Sequence, residues 1–206
     1  VIKDGKISGP AGEVGEFNEL ATQACYQRGG SVIVGKGNFV PHNVRIADKN
    51  TTYGNISPSY CFECQVAEVE VDLETGAVSL VNFYASHDLG KVINPNCAEG
   101  VLEGGIGNSV GFALTEESKW DQEGRMINAD FKDYRLPTAL DVPKIKIDLI
   151  EPVDPIGPFG AKSIAEAATV PTAAAIANAI YNATGVRPTQ LPITPERMLK
   201  IIEKNC

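Results

Sequence analysis

The stretch Gln65-Val66-Ala67-Glu68-Val69-Glu70-Val71-Asp72 alternates apolar and polar side chains, Glu74-Thr75-Gly76 turns, and Ala77-Val78-Ser79-Leu80-Val81-Asn82-Phe83-Tyr84-Ala85 returns. A period of two places every second side chain on one face, so this is a hairpin with one face towards a core. Working outward, Asn96 to Glu117 changes to a helical pattern. Its glycines Gly100, Gly104, Gly107 and Gly111 recur at intervals of four, three and four, which puts them on one helix face. Each costs roughly 1 kcal/mol relative to alanine, so that face is expected to meet another backbone or a flat ligand. Short strands are predicted at Ser118 to Asp121 and Met126 to Ala129, and a longer alternating one at Lys144 to Glu151. Beyond them come a helix from Ala167 to Ala183 stopped by Gly185, and a last helix opened by Thr194-Pro195-Glu196.

Upstream, Lys3-Asp4-Gly5-Lys6-Ile7 predicts a hairpin, Phe17 to Arg28 a helix closed by Gly29-Gly30, and Ser31 to Val34 a strand. Gly35 to Pro58 is a long connection without a sustained period. Hairpins and helices without regular alternation indicate an α+β fold, with no repeat. At 206 residues and 43% hydrophobic content the chain can bury a sizeable core. A net charge of −8 offers no electrostatic source of attraction to nucleic acid or anionic membranes. The amino end has no signal-peptide pattern and no apolar run is long enough to span a bilayer, so a cytoplasmic location is expected. A first residue of valine, Val1, suggests a fragment or a processed subunit.

The five cysteines, Cys25, Cys61, Cys64, Cys97 and Cys206, lack the spacing of a disulfide scaffold. Cys61-Phe62-Glu63-Cys64 is formally C-x-x-C, but no second pair completes a zinc set; a structural role is expected, with thiol redox chemistry as the alternative. Gly105-Ile106-Gly107 does not make a dinucleotide loop, because the third glycine is misplaced and no strand leads in. The chemistry-bearing segment is Gly157-Pro158-Phe159-Gly160-Ala161-Lys162-Ser163-Ile164-Ala165-Glu166. Small residues there expose backbone amides and deliver one carboxylate to the mouth of the following helix. Taken alone, such a glutamate reads as a plain helix-start residue complementing the dipole, and only the wider context points to a base.

Several blocks in order resemble the carboxy-terminal part of the molybdopterin-binding subunit of the xanthine dehydrogenase and aldehyde oxidase family. They are Val66 to Asp72 with Thr75-Gly76; His87-Asp88-Leu89-Gly90-Lys91-Val92-Ile93-Asn94-Pro95 running into Glu99-Gly100 and Glu103-Gly104-Gly105; Asp133-Tyr134-Arg135-Leu136-Pro137-Thr138 through to Glu166; and Leu191-Pro192-Ile193-Thr194-Pro195-Glu196. The resemblance implies a molybdopterin cofactor, in some members extended as a dinucleotide, whose metal is held by the pterin and by no protein side chain. It implies that Glu166 is the general base that takes the proton from the hydroxyl on molybdenum, for hydroxylation of an N-heterocycle or oxidation of an aldehyde with water as oxygen source. Ala161, Lys162, Ser163, Ile164, Ala165 and Asn108 would line the cofactor. Iron-sulfur clusters and FAD would lie on partner domains or subunits, and an upstream cofactor-binding segment would complete the site, so the chain alone is expected to be inactive.

The sequence also departs from the family pattern. Val101 stands where a glutamine is usual, Asn108-Ser109 replaces glutamine-glycine, and Ser163 and Ala165 replace glycines. These changes support an alternative, a non-catalytic assembly domain that has lost direct cofactor contacts. His87 and Asp88 match the family and are expected to form a structural polar pair at a strand end, whereas His42 is a loop residue. The whole chain is expected to be one fragment of a cofactor-binding domain, with subdomains meeting near residues 95–115.

Overall fold

The computed structural model describes residues 2–26, 34–41, 44–45 and 47–205. The chain divides into two compact units, residues 1–40 and 41–206. Residues 95–114 form one continuous helix of the second unit.

The first unit begins with β1 (Ile2–Lys3), β2 (Lys6–Gly9) and β3 (Gly12–Glu16), an antiparallel sheet followed by α1 (Phe17–Tyr26). Asp4 and Gly5 have φ of 51° and 78°, the left-handed pair that a two-residue hairpin turn requires. β3 escapes sequence analysis because Gly12-Glu13-Val14-Gly15-Glu16 carries a single apolar residue. Most of the predicted strand Ser31 to Val34, the end of the predicted helix at Gln27 and Arg28, and His42 lie outside the described residues.

In the second unit β4 (Glu63–Val71) pairs antiparallel with β5 (Val78–Asp88), as the alternation requires. Asp72 fixes the turn, its carboxylate accepting from the amides of Glu74 at 2.8 Å and Thr75 at 3.2 Å. Gly76, at φ 72°, is obligatory for a second reason: a Cβ there would strike the carbonyl of Pro195. From β5 the chain enters α2 (Pro95–Leu114), opened by Asn94, whose side chain accepts from the Cys97 amide, and by Pro95 in the first turn. It returns as β6 (Ile145–Ile150), parallel to β5. α3 (Thr172–Thr184) ends at Gly185 with φ 74°, and α4 (Pro195–Asn205) is capped by the Thr194 hydroxyl.

The strands predicted at Ser118 to Asp121 and Met126 to Ala129 reduce to a single bridge between Trp120 and Met126, since the polar turn Asp121 to Arg125 closes on itself. α2 and α3 cover one face of the sheet. Phe83, Ile106, Val110, Ile176, Ile180 and Met198 are fully or almost fully buried in the resulting core, each contributing about 1.5–3 kcal/mol of burial. Among the described residues no helix is long and apolar enough to cross a membrane.

The glycine face of α2 behaves differently along its length. Gly111 is closed off by Glu116 and Pro137, and Gly107 lies near Val142, but among the described residues nothing outside the helix stands within 4 Å of where a Cβ on Gly100 or Gly104 would be. The close helix contact comes from a glycine off that face: a Cβ on Gly105 would stand 2.7 Å from the Ala168 Cβ.

Candidate active site

The segment from Asp154 to Thr169 is folded by contacts from three directions. It starts at Asp154, whose carboxylate accepts from the amides of Gly157 at 2.9 Å and Ile156 at 2.7 Å, which together hold it below the usual carboxylate range. Gly157 cannot be replaced without collision, because a Cβ there would meet the Ala161 carbonyl. Phe159 follows with φ 57° and its ring 92% exposed, then Gly160 with φ 81°. A bulky residue in the left-handed region is a local strain that the surrounding bonds must hold.

Those bonds come first from the end of β5. Lys91 donates its amide to Gly160, Lys162 donates its amide to Leu89 at 2.8 Å, and Gly90 bridges to Ala161. Gly90 has φ 57°, and a Cβ there would strike the Gly160 carbonyl, so close approach and backbone conformation both demand glycine. The Lys162 ammonium reaches Asp88 Oδ2 at 2.6 Å and the Tyr60 carbonyl at 3.1 Å, with both side chains about nine-tenths buried.

β4 grips the next stretch. Cys61, just before the strand, donates its thiol to the Ser163 carbonyl at 3.1 Å. Gln65 donates to the Ala168 carbonyl at 2.9 Å and accepts from the Thr172 hydroxyl at 2.7 Å. α2 completes the clamp through the Ser109 hydroxyl, which donates to the Thr169 carbonyl at 3.1 Å, and through Gly105 against Ala168.

Glu166 sits at the crest of this clamped turn. Its main-chain carbonyl accepts from the Thr169 amide and hydroxyl, but its exposed carboxylate has no hydrogen bond or ion pair with any described residue. It does not open the long helix, as the sequence suggests; it precedes a separate 3-10 turn (Ala167–Thr169) that breaks before α3. The reason is Pro171, which has no amide hydrogen to bond back to the Ala167 carbonyl and continue one helix.

The other expected site residues fall into two groups. Ala161 and Lys162 are little exposed and spend their amides on Pro158 and Leu89, so Lys162 acts on the turn with both its donors committed. The amides of Ser163, Ile164 and Ala165 donate to no described protein group. Asn108 is exposed on α2 beside Ser109, next to the Gly105–Ala168 contact. Val101, Ile164, Leu89, Ile93 and Ala161 are among the residues lining an apolar cavity of about 240 Å³. A larger cavity of about 660 Å³, lined in part by Arg135, Glu117 and Glu196, includes none of the expected site residues.

His87 and Asp88 do not pair with each other. Asp88 takes Lys162, while His87 Nδ1 lies 3.2 Å from Glu63 Oε2. Glu63 and Gln65 are contributions that sequence analysis passes over. The available signal was two polar residues at inward positions of a strand whose other inward positions are apolar. Cys61 and Cys64 project to opposite sides, and both are free. Burial first, then the nearby Asp88, pushes the Cys61 thiol up, so it is held protonated rather than as a reactive thiolate. That bond gives Cys61 a structural part in the turn, whereas Cys64 is exposed. Among the described residues no cluster of His, Cys, Asp or Glu is placed to hold a metal ion.

The sequence pattern of the molybdopterin cofactor-binding domain matches residues 1–143. The chain is 33% identical over 203 residues to the probable hypoxanthine oxidase of Escherichia coli strain K12, covering 97% of this chain and 20% of that protein. It is 37% identical over 138 residues to the xanthine dehydrogenase molybdenum-binding subunit of Escherichia coli O157:H7, covering 66% of this chain and 18% of the relative. Among solved structures, the aldehyde oxidoreductase of Desulfovibrio gigas superposes with a TM-score of 0.78 at 29% identity, covering 95% of this chain and 21% of the other. Quinoline 2-oxidoreductase of Pseudomonas putida 86 gives 0.74 at 28% identity, covering 99% of this chain and 26% of that one. The chain thus spans about a fifth of the length of these curated relatives. With its α+β architecture, it belongs to the molybdopterin cofactor-binding domain family of the xanthine dehydrogenases and aldehyde oxidoreductases.

Proposed function

We propose that this chain forms one wall of a molybdenum hydroxylase site that hydroxylates an N-heterocycle or oxidises an aldehyde with water as oxygen source, with Glu166 as general base. The observation that carries this is the contrast at the turn: its backbone is clamped from β4, β5 and α2, yet its one carboxylate is left exposed and unpartnered. Glu166 lies beyond the 1–143 family match, so its role is argued from this geometry and from the G-A-K-S-I-A-E segment itself.

The residues present fit the cofactor. Ser163, Ile164 and Ala165 offer free main-chain amides to anionic groups, and Asn108 offers an exposed side-chain amide beside the open backbone at Gly104. Held by these residues, molybdopterin would supply the oxygen-transfer and two-electron redox chemistry needed at an electron-poor carbon. Glu166 takes a proton at a carboxylate oxygen from the water-derived nucleophile, and Lys162 with Asp88 keeps the turn in place. Iron-sulfur and flavin partners carry electrons onward, and an upstream segment supplies the opposite wall, so the chain by itself is inactive.

The assembly-domain alternative has one observation in its favour: Val101 faces an apolar cavity, where it offers no hydrogen bond to a pterin. Glu166→Gln in the full-length enzyme separates the two. A general base predicts a loss of turnover of about 10²–10⁴-fold at unchanged molybdenum content. Unchanged turnover removes Glu166 from the role, and a metal-free native complex favours the assembly domain.

A further inference from the structure

Positions 61, 63 and 65 share the inner side of β4 and its approach, since side chains alternate along an extended chain. Cys61 bonds the Ser163 carbonyl and Gln65 bonds the Ala168 carbonyl. Glu63 projects from the same side of the strand, between the side chain that bonds Ser163 and the one that bonds Ala168. Its cross-strand neighbour is His87, 1% exposed, with Nδ1 3.2 Å from Glu63 Oε2. Glu63 Oε2 and His87 Nε2 are buried without a well-aligned hydrogen bond.

We propose that Glu63 and His87 form a buried acid–imidazole strut that sets the position of the 163–168 turn, making both of them positioning residues for Glu166. The proposal rests on the assignment of Glu166 as base, but the strut is measurable without it. An ionised carboxylate in this place has no described cation free to hold it. On the β5 side Asp88 and Lys162 already neutralise each other at 2.6 Å. On the β4 side stands the protonated Cys61; from α3 comes the uncharged Thr172, and from β6 Leu149 pairs with His87. From the turn itself the nearest carboxylate is the exposed Glu166.

The pair is therefore at rest when Glu63 is protonated and His87 neutral. Burial pushes Glu63 up to about 7 and His87 down, both towards that state. The raised carboxyl means that its share of the strut's stability is complete below the ordinary value of 4.5 and is lost as pH rises through about 7. The lowered imidazole means that its share is complete above 6.5 and is lost as pH falls further, through its own depressed value. On the alkaline side a desolvated carboxylate is left under the turn, and residues 163–168 loosen.

Hydrogen exchange read by mass spectrometry on the full-length, cofactor-loaded enzyme tests this directly. Peptides spanning residues 160–170 are compared at about pH 6 and about pH 8, after correction for intrinsic exchange rates. The wild type is expected to lose protection several-fold at the higher pH, while Glu63→Gln, which is permanently neutral, shows no such change. A decline of kcat/KM above pH 7 is expected in the wild type and should flatten in the same variant. Equal wild-type protection at both pH values, or a pH response in Glu63→Gln matching the wild type, overturns the strut. If Glu63→Gln does not fold, the wild-type comparison decides alone. A strut that responds as expected while Glu166→Gln keeps full turnover refutes only the base, and a flat exchange profile with an inactive Glu166→Gln refutes only the strut.

Discussion

The inner face of the β4–β5 hairpin has two halves with different work to do. Towards the Asp72 turn it is apolar, with Ala67, Val69, Val71, Val78, Leu80 and Phe83 packed in or against the core under α2 and α3. Towards the other end it is polar, with Glu63, Gln65 and His87 beneath the Glu166 turn. The apolar half is held by non-directional burial, which tolerates small shifts. The polar half adds the directional bonds of Gln65 to Ala168 and Thr172 beside the buried Glu63–His87 contact, and directional bonds are what a turn needs if it must present one carboxylate in one place. The same two strands thus stabilise the unit at one end and orient a site at the other.

Substitutions in each half should separate these contributions. The largest effect on stability is expected from Phe83→Ala, which removes a fully buried ring from the apolar half; a loss of about 3–5 kcal/mol by denaturant unfolding is expected, and a loss below about 1 kcal/mol would show that the hairpin is not the keystone of the unit. Next is Lys162→Met, which leaves Asp88 buried and unpaired. It should cost about 3 kcal/mol, with hydrogen exchange rising across residues 157–163 rather than in the helices. A uniform rise would erase the distinction between the halves. The smallest effect should come from the two cysteines. Cys61→Ala loses one thiol bond to Ser163, for about 1 kcal/mol or less, whereas Cys64→Ser on the exposed side stays within about 0.5 kcal/mol and leaves turnover intact. Loss of turnover on Cys64→Ser would revive a thiol role.

The period-two alternation at Gln65 to Ala85 correctly announced the hairpin, and Asn94-Pro95, Gly185 and Thr194-Pro195 marked helix ends, because caps and alternation are local properties of the backbone. The G-A-K-S-I-A-E segment was visible as a candidate site for the same reason: its small residues and single acid are contiguous. What was not legible was the support under it. Cys61, Gln65 and Ser109 reach the turn from 60 to 103 residues away, and no local pattern carries that information. His87 and Asp88 are adjacent in sequence and therefore suggested one pair, but the fold gives each a different partner, Glu63 and Lys162.

By itself the chain's sequence determined the β4–β5 hairpin and most helix ends, the α+β class, the family, and which acid to examine, since each follows from residue order over short distances. Tertiary structure decided that Gly105 and not the glycine stripe makes the close helix contact, and that the turn is clamped on three sides. These depend on which surfaces meet once β5, α2 and β6 are stacked, and burial, not sequence proximity, chooses those neighbours.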